Sequence, residues 1–112
     1  MLNISVILFA VAALFGVVIL AALVKKKETP KPVVYLHGLA AAVALVVLIV
    51  YSVQNPSSFP KFSLIIFILA AIGGFYLFFN DMKKRPGPVA VAVIHALAAV
   101  AGFVTLLLFV FT

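Results

Sequence analysis

Residues 30–41 read PKPVVYLHGLAA and residues 88–99 read PVAVAVIHALAA. Each stretch runs from a proline (Pro30, Pro88) through a valine (Val33, Val91) to a histidine (His37, His95). Each then enters the same three small or apolar residues (Leu39, Ala40, Ala41 and Leu97, Ala98, Ala99), at a constant offset of 58 residues. These are the only two histidines in the chain, and each lies inside an apolar run long enough to cross a bilayer.

Working outward, the same offset aligns residues 5–54 with 63–112 without a gap and gives 16 identities in 50 positions. Composition alone would give roughly five, so the pattern reads as an internal repeat. The shared positions include Ser5/Ser63, Phe9/Phe67, Ala12/Ala70, Gly16/Gly74, Lys25/Lys83 and Lys26/Lys84. Repeat one spans residues 1–54 and repeat two 61–112. A spanning helix needs about 20 mostly apolar residues. Four runs meet that length, at about 2–24, 33–53, 62–79 and 89–111. The expected fold is therefore all-α: an integral membrane four-helix bundle of two tandem two-helix repeats, with pseudo-twofold symmetry about an axis along the membrane normal. In up-down order the second and fourth helices lie diagonally across the core or else meet at the axis, and either arrangement can put the histidines at one depth, pointing at each other.

Composition supports the same class. The chain has 112 residues, 68% of them hydrophobic, and a mean hydropathy of +1.44. Soluble domains carry about 45–50% apolar residues, and a chain this small cannot hide the excess from water. The net charge of +6 would suit a nucleic-acid binder, but the cations sit in the short breaks between apolar runs. Seven of the eight lie in the first and third breaks (Lys25, Lys26, Lys27, Lys31, Lys83, Lys84, Arg85), and Lys61 alone lies in the second. Short basic loops stay in the cytoplasm. This predicts a multi-pass protein of the cell membrane with basic loops inside, both termini and the middle loop outside, and no nucleic-acid partner. The first run lacks a basic leader and does not read as a cleavable signal. The absence of cysteine excludes disulfides, thiolate metal sites and cysteine nucleophiles.

An ionisable side chain within the bilayer is costly and faces the protein interior or a site. Neutral imidazole is a common axial ligand of haem iron. His37 and His95 are therefore the candidate metal ligands, holding one haem b between them near the cytoplasmic side. The neighbouring residues are small, as a porphyrin needs: Ala41 and Ala99 lie one turn beyond the histidines. The first and third helices add Ala12-x-x-x-Gly16 and Ala70-x-x-x-Gly74. Gly16, Gly74, Ala41 and Ala99 are thus candidate cofactor-contacting positions, and the lysine clusters lie where propionates would emerge. Small residues at four-spacing also serve plain helix packing, and a membrane histidine also bonds carbonyls or water. Tyr35, Tyr51 and Tyr76 read as interfacial or packing aromatics, and Glu28 and Asp81 as solvated loop-edge carboxylates.

With helix number, His37 and His95 on the page, the chain resembles the small membrane-bound b-type cytochromes. In those, a four-helix bundle holds haem between histidines of different helices. The resemblance implies an electron carrier with one bis-histidine haem b, working with a quinone, a redox protein or a larger complex, or as a homo-oligomer. Transmembrane carriers of that kind use four histidines for two haems, whereas this chain has one pair. The small multidrug-resistance transporters share its size, but they depend on a carboxylate in the first helix, and none occurs in residues 2–24. No nucleophile with a base, phosphate loop or membrane carboxylate pair points to a stand-alone enzyme. The alternatives to an electron carrier are a small histidine-dependent proton or ion channel or transporter, and a structural subunit of a membrane complex.

Overall fold

The computed structural model describes residues 1–85 and 88–112. The described residues form four helices: α1 (Leu2–Val24), α2 (Lys31–Gln54), α3 (Lys61–Met82) and α4 (Val89–Phe111). All four are long and apolar enough to span a membrane. Pro86 and Gly87 of the third break lie outside the described residues.

Prolines set the helix starts. Pro30, Pro60 and Pro88 each stand immediately before a helix, and their carbonyls accept its first hydrogen bond, from Val34, Leu64 and Ala92 at 3.0, 3.0 and 3.2 Å. A proline there loses nothing, because the first-turn N–H groups have no intrahelical partner. Pro32 falls at the second helical position of α2, so that helix begins at Lys31, two residues before the apolar run. At the other extreme α3 continues past Phe79 to Met82. Asn80 and Asp81 are polar but still helical, and the Asn80 side chain donates to the Tyr76 carbonyl at 3.0 Å.

The C-termini of α1 and α3 close in the same way. Lys26 and Lys84 adopt left-handed backbone conformations, with φ of 54° and 55°. The following N–H reaches back five residues, from Lys27 to the Ala22 carbonyl at 2.8 Å and from Arg85 to the Asn80 carbonyl at 3.0 Å. This is the Schellman arrangement, in which the reversal satisfies carbonyls the helix leaves open.

α1 packs most extensively on α2, and α3 on α4; α1 then meets α4, and α2 meets α3 more loosely. The bundle measures 44 × 23 × 21 Å, which matches the roughly 40–45 Å of a bilayer with its headgroup layers. Its apolar side chains are turned outward: Leu14, Val17, Leu39, Leu69, Phe75, Ile94 and Leu97 are all more than half exposed. The interior is built from small and polar residues with a few large ones, among them Ser5, Phe9, Ala12, Ala44, Leu48, Ser63, Phe67, Ala70, Gly102 and Leu106. A surface of this kind calls for lipid as its solvent.

Buried residues recur at the offset found in the sequence: Ser5 and Ser63, Phe9 and Phe67, Ala12 and Ala70, Val34 and Ala92, Ala44 and Gly102, Leu48 and Leu106. Phe9 and Phe67 stack across the core with ring centres 3.8 Å apart and planes 4° from parallel. Ser5 donates to the Ala44 carbonyl at 3.0 Å, and Ser63 pairs with the Thr105 hydroxyl at 2.8 Å. No buried side-chain polar atom among the described residues lacks a partner, as a water-free interior requires.

Candidate functional site

His37 and His95 are each the seventh residue of their helix. At 1.5 Å per residue both stand about 9 Å from the helix start, at the end of the bundle that carries the basic turns. Their imidazoles approach across the core, with ring centres 6.3 Å apart and planes 81° from parallel. The two candidate ligands are thus brought together, one from each hairpin.

Each ring is anchored by the first helix of its own hairpin. Nδ1 of His37 lies 2.7 Å from the Ala12 carbonyl, and Nδ1 of His95 lies 2.7 Å from the Ala70 carbonyl. A carbonyl can only accept, so each Nδ1 carries the hydrogen, and in the neutral ring Nε2 keeps its lone pair. The local cause of this anchoring is the glycine four residues further on. In a helix the carbonyl of residue 12 faces the turn occupied by residue 16. A side chain there would cover the carbonyl; glycine leaves it open to a second donor.

The fit is close. A Cβ at Gly16 would meet Cε1 of His37 at 3.1 Å, and one at Gly74 would meet Cε1 of His95 at 3.0 Å. Gly16 and Gly74 therefore seat the imidazoles, a use distinct from the room for a macrocycle that their spacing suggested. A Cβ at Gly73 would stand at ordinary contact distance from His95, 3.8 Å. Gly38, next to His37 in the chain, would meet nothing within 4 Å and lies on the outer face. Ala41 and Ala99 are half-buried, as are the histidines themselves.

Two open surface depressions lie at the opposite end of the bundle. One, of about 710 Å³, is bounded by Met1, Asn3, Tyr51, Ser58, Phe109 and Thr112 among others. The second, of about 280 Å³, lies beneath Phe59 and Phe62. Neither is lined by a histidine. Among the described residues no three His, Cys, Asp or Glu side chains gather as a metal cluster, so the histidine pair would bring two ligands and no more.

Asp81 differs from the solvated carboxylate expected of it. It accepts from the Lys31 ammonium at 2.7 Å and from the Thr29 hydroxyl at 2.5 Å, and Lys31 also donates to Thr29 at 3.0 Å. Thr29 is buried, and the triad ties the end of α3 to the start of α2. Beside it Tyr35 packs edge-on against Phe78, at 6.4 Å between ring centres. Sequence offers little warning of a pair 50 residues apart; the one signal is that Asp81 is the only acid in an otherwise basic turn. Glu28 is exposed, as expected.

No protein-family model matches the chain, and no curated protein or solved structure matches it.

Proposed function

We propose that His37 and His95 are the axial ligands of one haem b, and that the protein is a membrane electron carrier exchanging electrons near its basic end. The observation that carries this reading is that two imidazoles, one from α2 and one from α4, meet across the core with each Nδ1 held on a backbone carbonyl and each Nε2 left with its lone pair. The rings stand 6.3 Å apart. The carbonyl bonds add support, since a ligating histidine characteristically donates its other N–H to a carbonyl or carboxylate, fixing ring and tautomer.

The ligand inventory favours haem over a bare ion. The chain has no cysteine, and its two carboxylates are Glu28, which is exposed, and Asp81, which is engaged by Lys31 and Thr29. An ion at the histidine pair must bring its remaining ligands with it, and a porphyrin supplies four in a plane. When bound, the group supplies a one-electron iron couple. The protein's part is to hold the two imidazoles at fixed height and to keep Nδ1 protonated on Ala12 and Ala70. It also keeps water away with apolar helices. Gly16 and Gly74 are already occupied by the imidazoles and Phe9 stacks on Phe67 across the core, so a macrocycle would require the helices to part, and α2–α3 is the more loosely packed seam.

The finer architecture belongs to the same reading. The paired burial, the paired carbonyl anchors and the Phe9–Phe67 stack support a duplicated hairpin with pseudo-twofold symmetry. The charge distribution supports a cell-membrane location with the basic turns in the cytoplasm and both termini outside. A quinone or a redox protein would complete the electron path.

The test is an absorption spectrum of protein purified from haem-sufficient cells, oxidised and reduced. A bis-histidine b-type spectrum at one haem per chain is expected, lost in both His37→Ala and His95→Ala. A colourless protein, or an unchanged spectrum in either variant, overturns the proposal.

A further inference from the structure

Six cations crown one end of the bundle in two triplets: Lys25, Lys26 and Lys27 after α1, and Lys83, Lys84 and Arg85 after α3. All six are exposed. Among the described residues the one ion pair is Lys31 with Asp81, so no carboxylate neutralises either triplet. Glu28 is exposed beside Lys27 and forms no ion pair.

The two triplets are displayed by the same device. Each is folded into a Schellman turn whose left-handed position is a lysine, at φ 54° and 55°. A left-handed conformation costs a non-glycine residue about 1–2 kcal/mol, and glycine is the usual occupant. A charged side chain occupies this position in both turns. Topology alone needs positive charge in the loop, and the flanking lysines already provide it.

Depth identifies what meets these cations. α1 has 23 residues, α3 has 22, and at 1.5 Å per residue each is about 33–35 Å long. That slightly exceeds the roughly 30 Å hydrocarbon core, so the residues directly after each helix stand in the headgroup layer. Tyr35 and Phe79 lie about one turn deeper and Tyr76 about two, and all three are more than half exposed, where an aromatic belt belongs. α1 and α3 meet through the Phe9–Phe67 stack but not along their backbones, so the two triplets stand on helices that are not backbone neighbours.

We propose that each basic turn is a binding site for one anionic phospholipid headgroup, giving two specifically held lipids per chain. The inference does not depend on haem. Each cation near the membrane surface contributes about fivefold in affinity for anionic lipid, so removing a triplet costs on the order of a hundredfold.

Native mass spectrometry of the full chain in neutral detergent, with phosphatidylglycerol or phosphatidylcholine added, tests this directly. The unaltered protein is expected to retain two phosphatidylglycerol molecules and to release them as salt is raised. Phosphatidylcholine should be retained at least tenfold more weakly. A Lys25→Gln/Lys26→Gln/Lys27→Gln variant and a Lys83→Gln/Lys84→Gln/Arg85→Gln variant should each lose one lipid. Lys61→Gln, altered at the other end, should keep both. Equal retention of the two lipids, indifference to salt, or protection by inorganic phosphate alone would overturn the proposal, and these arms use the unaltered chain. So would both lipids surviving in a triplet variant whose helical content is intact.

Discussion

Gly16→Ala is the sharpest probe of the histidine site, because the same substitution at Gly38 serves as its control. Both glycines lie within transmembrane helices, and alanine is favoured over glycine in a helix interior by about 1 kcal/mol. At Gly38 the new methyl meets nothing within 4 Å, so the variant should keep that gain. At Gly16 the methyl lands 3.1 Å from Cε1 of His37 and 3.4 Å from its Nδ1. Ordinary contact requires the ring to retreat by roughly 0.3–0.5 Å. The ring is not free to retreat, since Nδ1 sits 2.7 Å from the Ala12 carbonyl and the substitution also begins to cover that carbonyl. Overpacking of this kind costs about 1–3 kcal/mol. The expected outcome is that Gly16→Ala is less stable than Gly38→Ala by about 1–3 kcal/mol in reversible unfolding in mixed micelles. Gly74→Ala should behave as Gly16→Ala does, given a Cβ contact of 3.0 Å with His95. If Gly16→Ala and Gly38→Ala agree within about 0.5 kcal/mol, an error typical of additivity for independent sites, the imidazole is not held as described and the anchoring argument fails.

Three further outcomes follow from the packing. Gly102→Ala places a methyl 3.0–3.1 Å from three atoms of the Phe67 ring, and should cost about 1–3 kcal/mol by forcing that ring along its stack with Phe9; Ala44, at the matching place in the first hairpin, should tolerate Gly with a smaller loss. Asp81→Asn removes the charge from a pair whose side chains are 34% and 19% exposed, so about 1 kcal/mol is expected after screening, and a double-mutant cycle with Lys31→Met should return most of it as coupling. Lys26→Gly and Lys84→Gly relieve the left-handed backbone and should each stabilise the chain by about 1 kcal/mol in neutral detergent, while weakening phosphatidylglycerol retention; destabilisation would contradict the turn geometry.

The helices were legible because lipid imposes a length and a composition that few other constraints disturb. Their polar ends were not: α3 runs three residues past its apolar stretch because Asn80, Asp81 and Met82 have no reason to leave the helix until the Lys84 reversal. The histidine pair was legible as a repeated ionisable group at one depth. Its anchoring was not, because a carbonyl acceptor leaves no mark of its own in a sequence. The mark was present indirectly, in Ala12-x-x-x-Gly16 and Ala70-x-x-x-Gly74, which expose the carbonyl that each ring bonds. The Lys31–Asp81–Thr29 triad joins the end of α3 to the start of α2 and does not recur at the 58-residue offset, since Leu23 stands at the position matching Asp81. A rule of recurrence predicts only what recurs.

That asymmetry bears on how the two inter-hairpin seams are held. The α2–α3 seam is the looser of the two between hairpins, and at the histidine end it is closed by Lys31, Thr29 and Asp81. On the α1–α4 side the corresponding positions are Leu23 and Val89, which offer packing but no polar tie. An ion pair resists separation only until water or salt competes for it, whereas apolar packing in a bilayer has lipid as an equal competitor at all times. The seam with weaker packing is therefore the one that carries a polar closure. It lies about two turns from His37, so on the proposed haem reading it is the seam whose parting would expose the imidazoles.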